Sequence, residues 1–106
     1  MKRGSFYIRH KMDFNLVKGY IDTVKDVHGN KFIIGFHHAN IGSKSIWGAV
    51  HIASGLVICS GATRKECFEK AKSEKTLDFL NQTVTTKHVE TMINEMNQFL
   101  QTGDIA

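Results

Sequence analysis

Two cysteines and six histidines are the residues of this 106-residue chain best suited to bind a metal ion or act as nucleophiles. Zinc needs three or four such ligands at tetrahedral spacing. The candidate set is His37, His51 and Cys59, which the strand pattern described below places on one sheet face. The chain has no C-x-x-C, H-x-x-x-H or H-E-x-x-H spacing, the local patterns typical of zinc sites. We therefore expect no metal ion and no cofactor.

Cys67 is the candidate nucleophile, because it lies in the first turn of a predicted helix beside Arg64 and Lys65. The positive end of a helix and neighbouring cations favour the thiolate form of cysteine. A nucleophilic pair also needs a base, for which His51 is the candidate. The alternative is that Cys67 is a small apolar residue that packs under the helix. Because the chain has no paired carboxylates and no glycine-rich phosphate loop, we expect a non-enzyme, with a thiol- or metal-dependent enzyme as the lesser alternative.

Positive charge is concentrated at the start of the chain. Fourteen Lys and Arg against ten Asp and Glu give a formal net charge of +4. Residues 1–11 contain four basic residues and no acid, which leaves ten basic and ten acidic residues in 12–106. Domains that hold a nucleic-acid backbone over a wide face usually show a basic stripe across the fold. The pattern favours a neutral body with a basic arm, which can still contact phosphate.

The location and domain count are predicted from what the chain lacks. No apolar run reaches the roughly 18 residues that a membrane helix needs. The first residues contain no apolar signal core, and two cysteines make no disulfide framework. No proline or low-complexity segment marks a linker. We therefore expect one cytoplasmic domain over residues 1–106, with no membrane association.

The middle of the chain, residues 31–60, is predicted to form an antiparallel meander. Residues 31–39, 46–53 and 56–60 alternate in polarity and are rich in β-branched or aromatic side chains. The basic N-terminal residues 1–11 are either an arm or an edge strand. Residues 13–28 show apolar positions at helical spacing, which favours a helix, whereas the turn that follows allows a β-hairpin.

The register of the meander decides which side chains share a face. A three-residue loop with Gly55 in the left-handed conformation would pair Ile52 with Leu56 and Val50 with Ile58. The core face would then include Phe32, Ile34 and Phe36. The opposite face would carry the candidate partner-binding residues His37, Trp47, Ala49 and His51. Whether another element covers this second face is left open.

Helices are predicted over residues 63–102. Thr63 and Glu66 form a capping box that begins the first helix, and the apolar pattern is interrupted near residues 72–76. The last helix is predicted to begin at Thr85 or Thr86 and to end at Gly103. Its apolar seam, which serves the core or a homodimer, includes Met92, Met96 and Phe99.

Residues 46–72 resemble a β-β-β-α unit found in two families. The stretch GLVICSGATRKE, residues 55–66, is similar to the strand–glycine–Thr–helix turn of HicB-type antitoxins, whose unit packs against a toxin. It also resembles the end of a double-stranded RNA-binding domain, where a basic helix start contacts phosphates. Arg64 and Lys65 match the first two basic residues of that domain. Phe68 replaces the third, and the Gly-Pro-x-His loop is absent.

The sequence predicts an α+β protein with an antiparallel meander of three to five strands and two or three helices packed on one face. The predicted function is a small non-enzymatic binding module, regulatory or inhibitory, that engages a protein or nucleoprotein partner through the face around Trp47. In its small size and its lack of a catalytic signature, the chain is similar to many phage and mobile-element proteins, including anti-CRISPR inhibitors. The alternative is direct binding of double-stranded RNA or DNA by Arg9, Lys11, Arg64, Lys65 and Lys72.

Overall fold

The computed structural model describes residues 2–10, 13–84 and 87–102, which form five strands and three helices. The strands are β1 (Lys2–His10), β2 (Asp13–Lys25), β3 (Lys31–Ile41), β4 (Lys44–His51) and β5 (Leu56–Gly61). The helices are α1 (Arg64–Ala71), α2 (Glu74–Val84) and α3 (Lys87–Thr102). Neighbouring strands pair in chain order and are all antiparallel. The prediction of an α+β protein with an antiparallel sheet is therefore confirmed.

The helix favoured for residues 13–28 is wrong, because this segment forms β2 and the turn after it. β-Branched side chains prefer the pleated surface of a sheet, and β2 has a strand on each side. The turn closes with a backbone hydrogen bond from Asp26 N to Asn30 O. The carboxylate of Asp26 accepts the backbone N–H groups of His28 and Asn30. The β-hairpin alternative is the one that forms.

β2 pairs with its two neighbours through different halves. Its residues 13–21 pair with β1, whereas residues 20–25 pair with β3. Gly19 lies where the two halves meet, and a Cβ atom there would come within 2.0 Å of the carbonyl oxygen of Phe36. Only a residue without a side chain allows this close approach of two backbones.

Next to the turn between β4 and β5, the register is shifted by one residue from the predicted one. The turn spans residues 52–55, so His51 pairs with Leu56 and Val50 with Val57. Gly55 has the expected left-handed conformation, with φ of 78°. The predicted three-residue loop is therefore wrong. A β-bulge follows and restores the predicted register, because the next pair is Ala49 with Cys59.

The main hydrophobic cluster joins the sheet to α1 and α2. Its buried members are Val24, Phe32, Ile34, Phe36, Ala49, Cys67, Ala71, Leu77 and Leu80. At the start of α1, Thr63 accepts the backbone N–H of Glu66, and the carboxylate of Glu66 accepts the backbone N–H of Ala62. α1 ends before Ser73, whose hydroxyl accepts the N–H of Thr76 in the first turn of α2. The capping box and the interruption are therefore where the sequence predicts them.

α3 contributes a second group of buried side chains. Met92 and Met96 are buried, and the Phe99 ring contacts the rings of Tyr7 and Phe14, both at 4.8 Å between centroids. The predicted homodimer seam is therefore in contact with this chain's own strands. The predicted helix start at Thr85 or Thr86 and its end at Gly103 lie outside the described residues.

Candidate functional site

The four candidate partner-binding residues do not share a face. In the β3–β4 pairing, His51 lies opposite Ile34, Ala49 opposite Phe36 and Trp47 opposite His38. Three of the four, Trp47, Ala49 and His51, therefore lie on the face that carries the main cluster. Ala49 is fully buried and His51 is 6% exposed. His37 lies on the other face, so the predicted grouping of these four residues on one face is wrong.

The two candidate histidines, His37 and His51, make contacts inside the protein. His51 Nδ1 is 2.8 Å from the hydroxyl of Ser54, and burial lowers the pKa of the ring. The His37 ring contacts Phe6 edge to face at 6.3 Å. Burial lowers the pKa of His37, and the charge of His38 lowers it further. Both rings are therefore neutral near pH 7, and the described residues contain no group of three His, Cys, Asp or Glu side chains that could hold a metal ion.

Arg9, a candidate phosphate-binding residue, is engaged inside the protein. Its guanidinium donates to the carbonyl oxygen of Met92 at 3.0 Å and lies 4.7 Å from the ring centroid of Phe14. It also pairs with Glu95 at 3.7 Å, and its side chain is only 15% exposed. Arg9 thus ties β1 to α3 and has little surface to offer a ligand. Lys11, the other candidate from the arm, lies outside the described residues.

Arg64 and Lys65 line a groove between α1 and the β1–β2 pair. Two adjoining pockets, of about 430 and 400 Å³, share the side chain of Tyr20. The residues that line them are Arg3, Gly4, Ser5, Lys18, Gly19, Tyr20, Asp22, Arg64, Lys65 and Phe68. We call this surface the Tyr20 groove.

Two arginines lie against the central ring of the groove. The guanidinium carbon of Arg64 is 4.6 Å from the ring centroid of Tyr20, and that of Arg3 is 6.0 Å away. Arg3 reaches the ring because it is the cross-strand partner of Tyr20. A cation over an aromatic face is attracted by the negative charge of that face. The ring therefore holds two guanidinium groups at one place.

Residues spaced along β2 and along α1 also face the groove. Lys18, Tyr20 and Asp22 alternate along β2 and so share a face. Along the chain at α1, Phe68 follows Arg64 by four residues, which places both on one side of the helix. Lys72 continues this side, with its Nζ 4.4 Å from the ring centroid of Phe68.

Positive charge dominates this surface. It has four cationic side chains, Arg3, Lys18, Arg64 and Lys65, against the one carboxylate of Asp22. Lys72 borders a separate pocket, whose lining includes the carboxylates of Asp26, Glu74 and Asp78. The Asp22 carboxylate accepts the backbone N–H of Thr23 at 2.9 Å. Within the described ranges, ion pairs occur elsewhere, between Arg9 and Glu95 and between Lys70 and Glu66.

The sequence predictions include two members of this surface and miss three others. Arg64 and Lys65 are predicted nucleic-acid contacts that line the groove, whereas Lys72 contacts Phe68 from outside it. Arg3, Lys18 and Tyr20 are missed. The alternation of Lys18, Tyr20 and Asp22 would identify a common face once residues 13–25 were assigned to a strand.

Comparison with known proteins adds no family assignment. No family model, curated protein or solved structure matches this chain. The similarity to HicB-type antitoxins and to double-stranded RNA-binding domains stays a prediction, as does an inhibitory role. Within the described part of the chain, no helix is long and apolar enough to cross a membrane.

Proposed function

We propose that this protein is a small non-enzymatic binding module that holds the phosphate backbone of a nucleic acid, free or within a nucleoprotein, in the Tyr20 groove. The observation that supports this function is the pair of guanidinium groups on one tyrosine ring. Arg3 and Arg64 are far apart in the sequence, yet the guanidinium carbons of both lie within 6.0 Å of the ring centroid of Tyr20.

Guanidinium groups suit phosphate better than other cations do. The planar fork of arginine donates two parallel hydrogen bonds to neighbouring phosphate oxygens. Contact with the Tyr20 ring leaves the guanidinium N–H groups of Arg64 able to donate to phosphate. Lys18 and Lys65 also line the groove, and an ammonium group attracts phosphate as a point charge. Successive phosphates of one strand therefore meet several cations in this groove.

The groove favours the backbone over the bases. Because Arg3 and Arg64 already occupy the surroundings of the Tyr20 ring, that ring has little free surface for stacking on a base. Contacts to phosphate set affinity and position but carry no sequence information. We expect binding that depends little on sequence and strongly on salt concentration.

The proposed groove also depends on how the layers are arranged. We take the helices to pack on one face of the sheet, as the sequence predicts, so that α1 forms one wall of the groove. The β1–β2 pair forms the other wall, and the close approach of β2 to β3 at Gly19 sets the position of that pair.

Binding is tested with fluorescently labelled RNA and DNA of about 20 nucleotides, each as a duplex and as a single strand. The affinity is measured by anisotropy between 50 and 200 mM salt. Replacing Arg64 and Lys65 by Glu should weaken binding at least tenfold and reduce the slope of log affinity against log salt by about 2. The matched control replaces Lys44 and Lys75, two exposed lysines outside the groove, by Glu.

The two double variants carry the same net charge, so a general loss of attraction would weaken both equally. That result, or salt-independent binding by the wild type, would overturn the proposed site. Comparison of the RNA, DNA, duplex and single-strand arms identifies the preferred backbone. No detectable binding to any of the four at 50 mM salt would overturn the function itself.

A further inference from the structure

The two cysteines of the chain lie together between β5 and α1. The Cys59 thiol on β5 donates to the backbone oxygen of Cys67 on α1, with 3.8 Å between sulfur and oxygen. β5 and α1 are closely packed here, because a Cβ atom on Gly61 would come within 2.7 Å of the backbone nitrogen of Cys67. The two cysteines are thus neighbours in the folded protein, and the side chain of each shifts the pKa of the other.

The two thiols differ in access. Cys59 is half-buried and borders a pocket of about 420 Å³ that also contains Lys70, Lys75 and Phe79. Cys67 is fully buried in the main cluster. A small oxidant in the pocket therefore reaches Cys59 and not Cys67.

The thiols also differ in acidity. The hydrogen bond with Cys67 lowers the pKa of Cys59, and the charge of Lys70 lowers it further against the opposing effect of burial. The hydrogen bond with Cys59 and burial both raise the pKa of Cys67. Because the thiolate is the reactive form of cysteine, Cys59 is the more nucleophilic of the two.

We propose that Cys59 and Cys67 form a reversible disulfide when the protein meets hydrogen peroxide. The Cys59 thiolate attacks one peroxide oxygen, the O–O bond breaks, and hydroxide leaves to give a sulfenic acid. The Cys67 sulfur then attacks the Cys59 sulfur, the S–S bond forms, and the S–O bond breaks as water leaves with the Cys67 proton. Two thiols lose two electrons, and the peroxide becomes two water molecules.

The disulfide would link β5 covalently to α1. It closes a loop of only eight residues, yet it restrains the unfolded chain and should raise the melting temperature by about 5–10 °C. A dithiol reductant attacks the disulfide through a mixed disulfide and restores both thiols. This site is independent of the proposed binding function, because its chemistry is measured without nucleic acid.

The test treats the purified full-length protein with hydrogen peroxide, denatures it, alkylates it with iodoacetamide and measures the intact mass. We expect a monomer that has lost two hydrogen atoms and takes up no alkyl group. Dithiothreitol given before alkylation should restore two alkylation sites. Two alkylated cysteines after peroxide, or a disulfide-linked dimer as the main product, would overturn the proposed pair.

Two variants separate the roles of the thiols. In Cys67→Ala, Cys59 sulfenic acid should accumulate and be trapped by dimedone, whereas in Cys59→Ala the buried Cys67 should stay reduced. Equally rapid oxidation of Cys67 in the second variant would contradict the assigned order. The wild-type mass measurement needs no substitution, so a variant that fails to fold leaves the main test intact.

Discussion

Tyr20 is the residue that brings the two arginines of the groove together. Its ring is half-buried against the main cluster and also contacts Trp47 at 6.3 Å between centroids. Trp47 in turn contacts His38 at 5.3 Å. The predicted binding residue Trp47 therefore lies beside the groove and supports its central ring.

Replacing Tyr20 by Leu should weaken nucleic-acid binding about five- to thirtyfold. The loss follows because each cation–π contact at an exposed site contributes about 0.5–1 kcal/mol, and both guanidinium groups would lose their support. Tyr20→Phe, which keeps the ring, should bind within about twofold of wild type. Anisotropy titration measures the affinities, and thermal melting checks that both variants fold. Equal affinities for the Leu and Phe variants would show that the ring does not position the arginines.

At the scale of elements, the close approach of β2 to β3 at Gly19 helps to position the β1–β2 pair that lines the groove. Gly4 and Gly19 are cross-strand partners in β1 and β2. A Cβ atom on Gly4 would meet the end of the Ile21 side chain at 2.7 Å, which can rotate away. A Cβ atom on Gly19 would meet the backbone oxygen of Phe36 at 2.0 Å, which cannot move without shifting β3.

Gly19→Ala should therefore lower the free energy of unfolding by about 2–3 kcal/mol, the cost of overpacking against a fixed backbone. Gly4→Ala is the matched control and should cost less than about 1 kcal/mol, because only a flexible side chain moves. Urea unfolding followed by circular dichroism measures both. Similar losses for the two variants would contradict the close backbone approach at Gly19.

The sequence predicts the class of the elements better than their pairing. The alternation in residues 31–60 and the capping box at Thr63 depend on local side chains and backbone, so they are readable without the fold. The register is not, because Ala49 and Val50 are both fully buried although they point to opposite faces of β4. An apolar pattern on both faces gives no signal for choosing between turn lengths that differ by one residue.

The N-terminal basic residues show that the charge of the groove, like the register, could not be predicted from the sequence. Counting charge along the chain groups Arg3 with Arg9, yet the fold sends Arg3 to the Tyr20 groove and Arg9 to α3. The body that is neutral by count also supplies Lys18, Arg64 and Lys65 to one surface. Long-range strand pairing creates this concentration of charge, and no local pattern reports it.

For the whole molecule, the buried histidines predict a stability that depends on pH. Burial lowers the pKa of His37 and of His51 in the folded protein below the value of about 6.5 that holds in the unfolded chain. As the pH falls below 6.5, the unfolded state therefore binds more protons than the folded state. Protonation then favours unfolding, and stability is lost.

The acidic groups act at lower pH. Hydrogen bonds from Asn81 and Asn30 lower the pKa of Asp26 to about 2 although burial opposes them, and a hydrogen bond from Ala62 N–H, together with Lys70, lowers that of Glu66. Their stabilising effect is complete above their unfolded values of 3.8 and 4.5 and is lost only below these. Between about pH 7.5 and pH 5, the two histidines therefore dominate among the groups with shifted pKa.

The free energy of unfolding, measured by urea denaturation, should fall between about pH 7.5 and pH 5. His51→Gln removes the more buried ring, so its stability should change less over this range although it starts lower at pH 7.5. His28→Gln, at an exposed position in the β2–β3 turn, should keep the wild-type dependence. A steeper loss in His51→Gln than in wild type would mean that the folded protein accommodates the charged His51 ring, and would place the pH-sensitive group elsewhere in the chain.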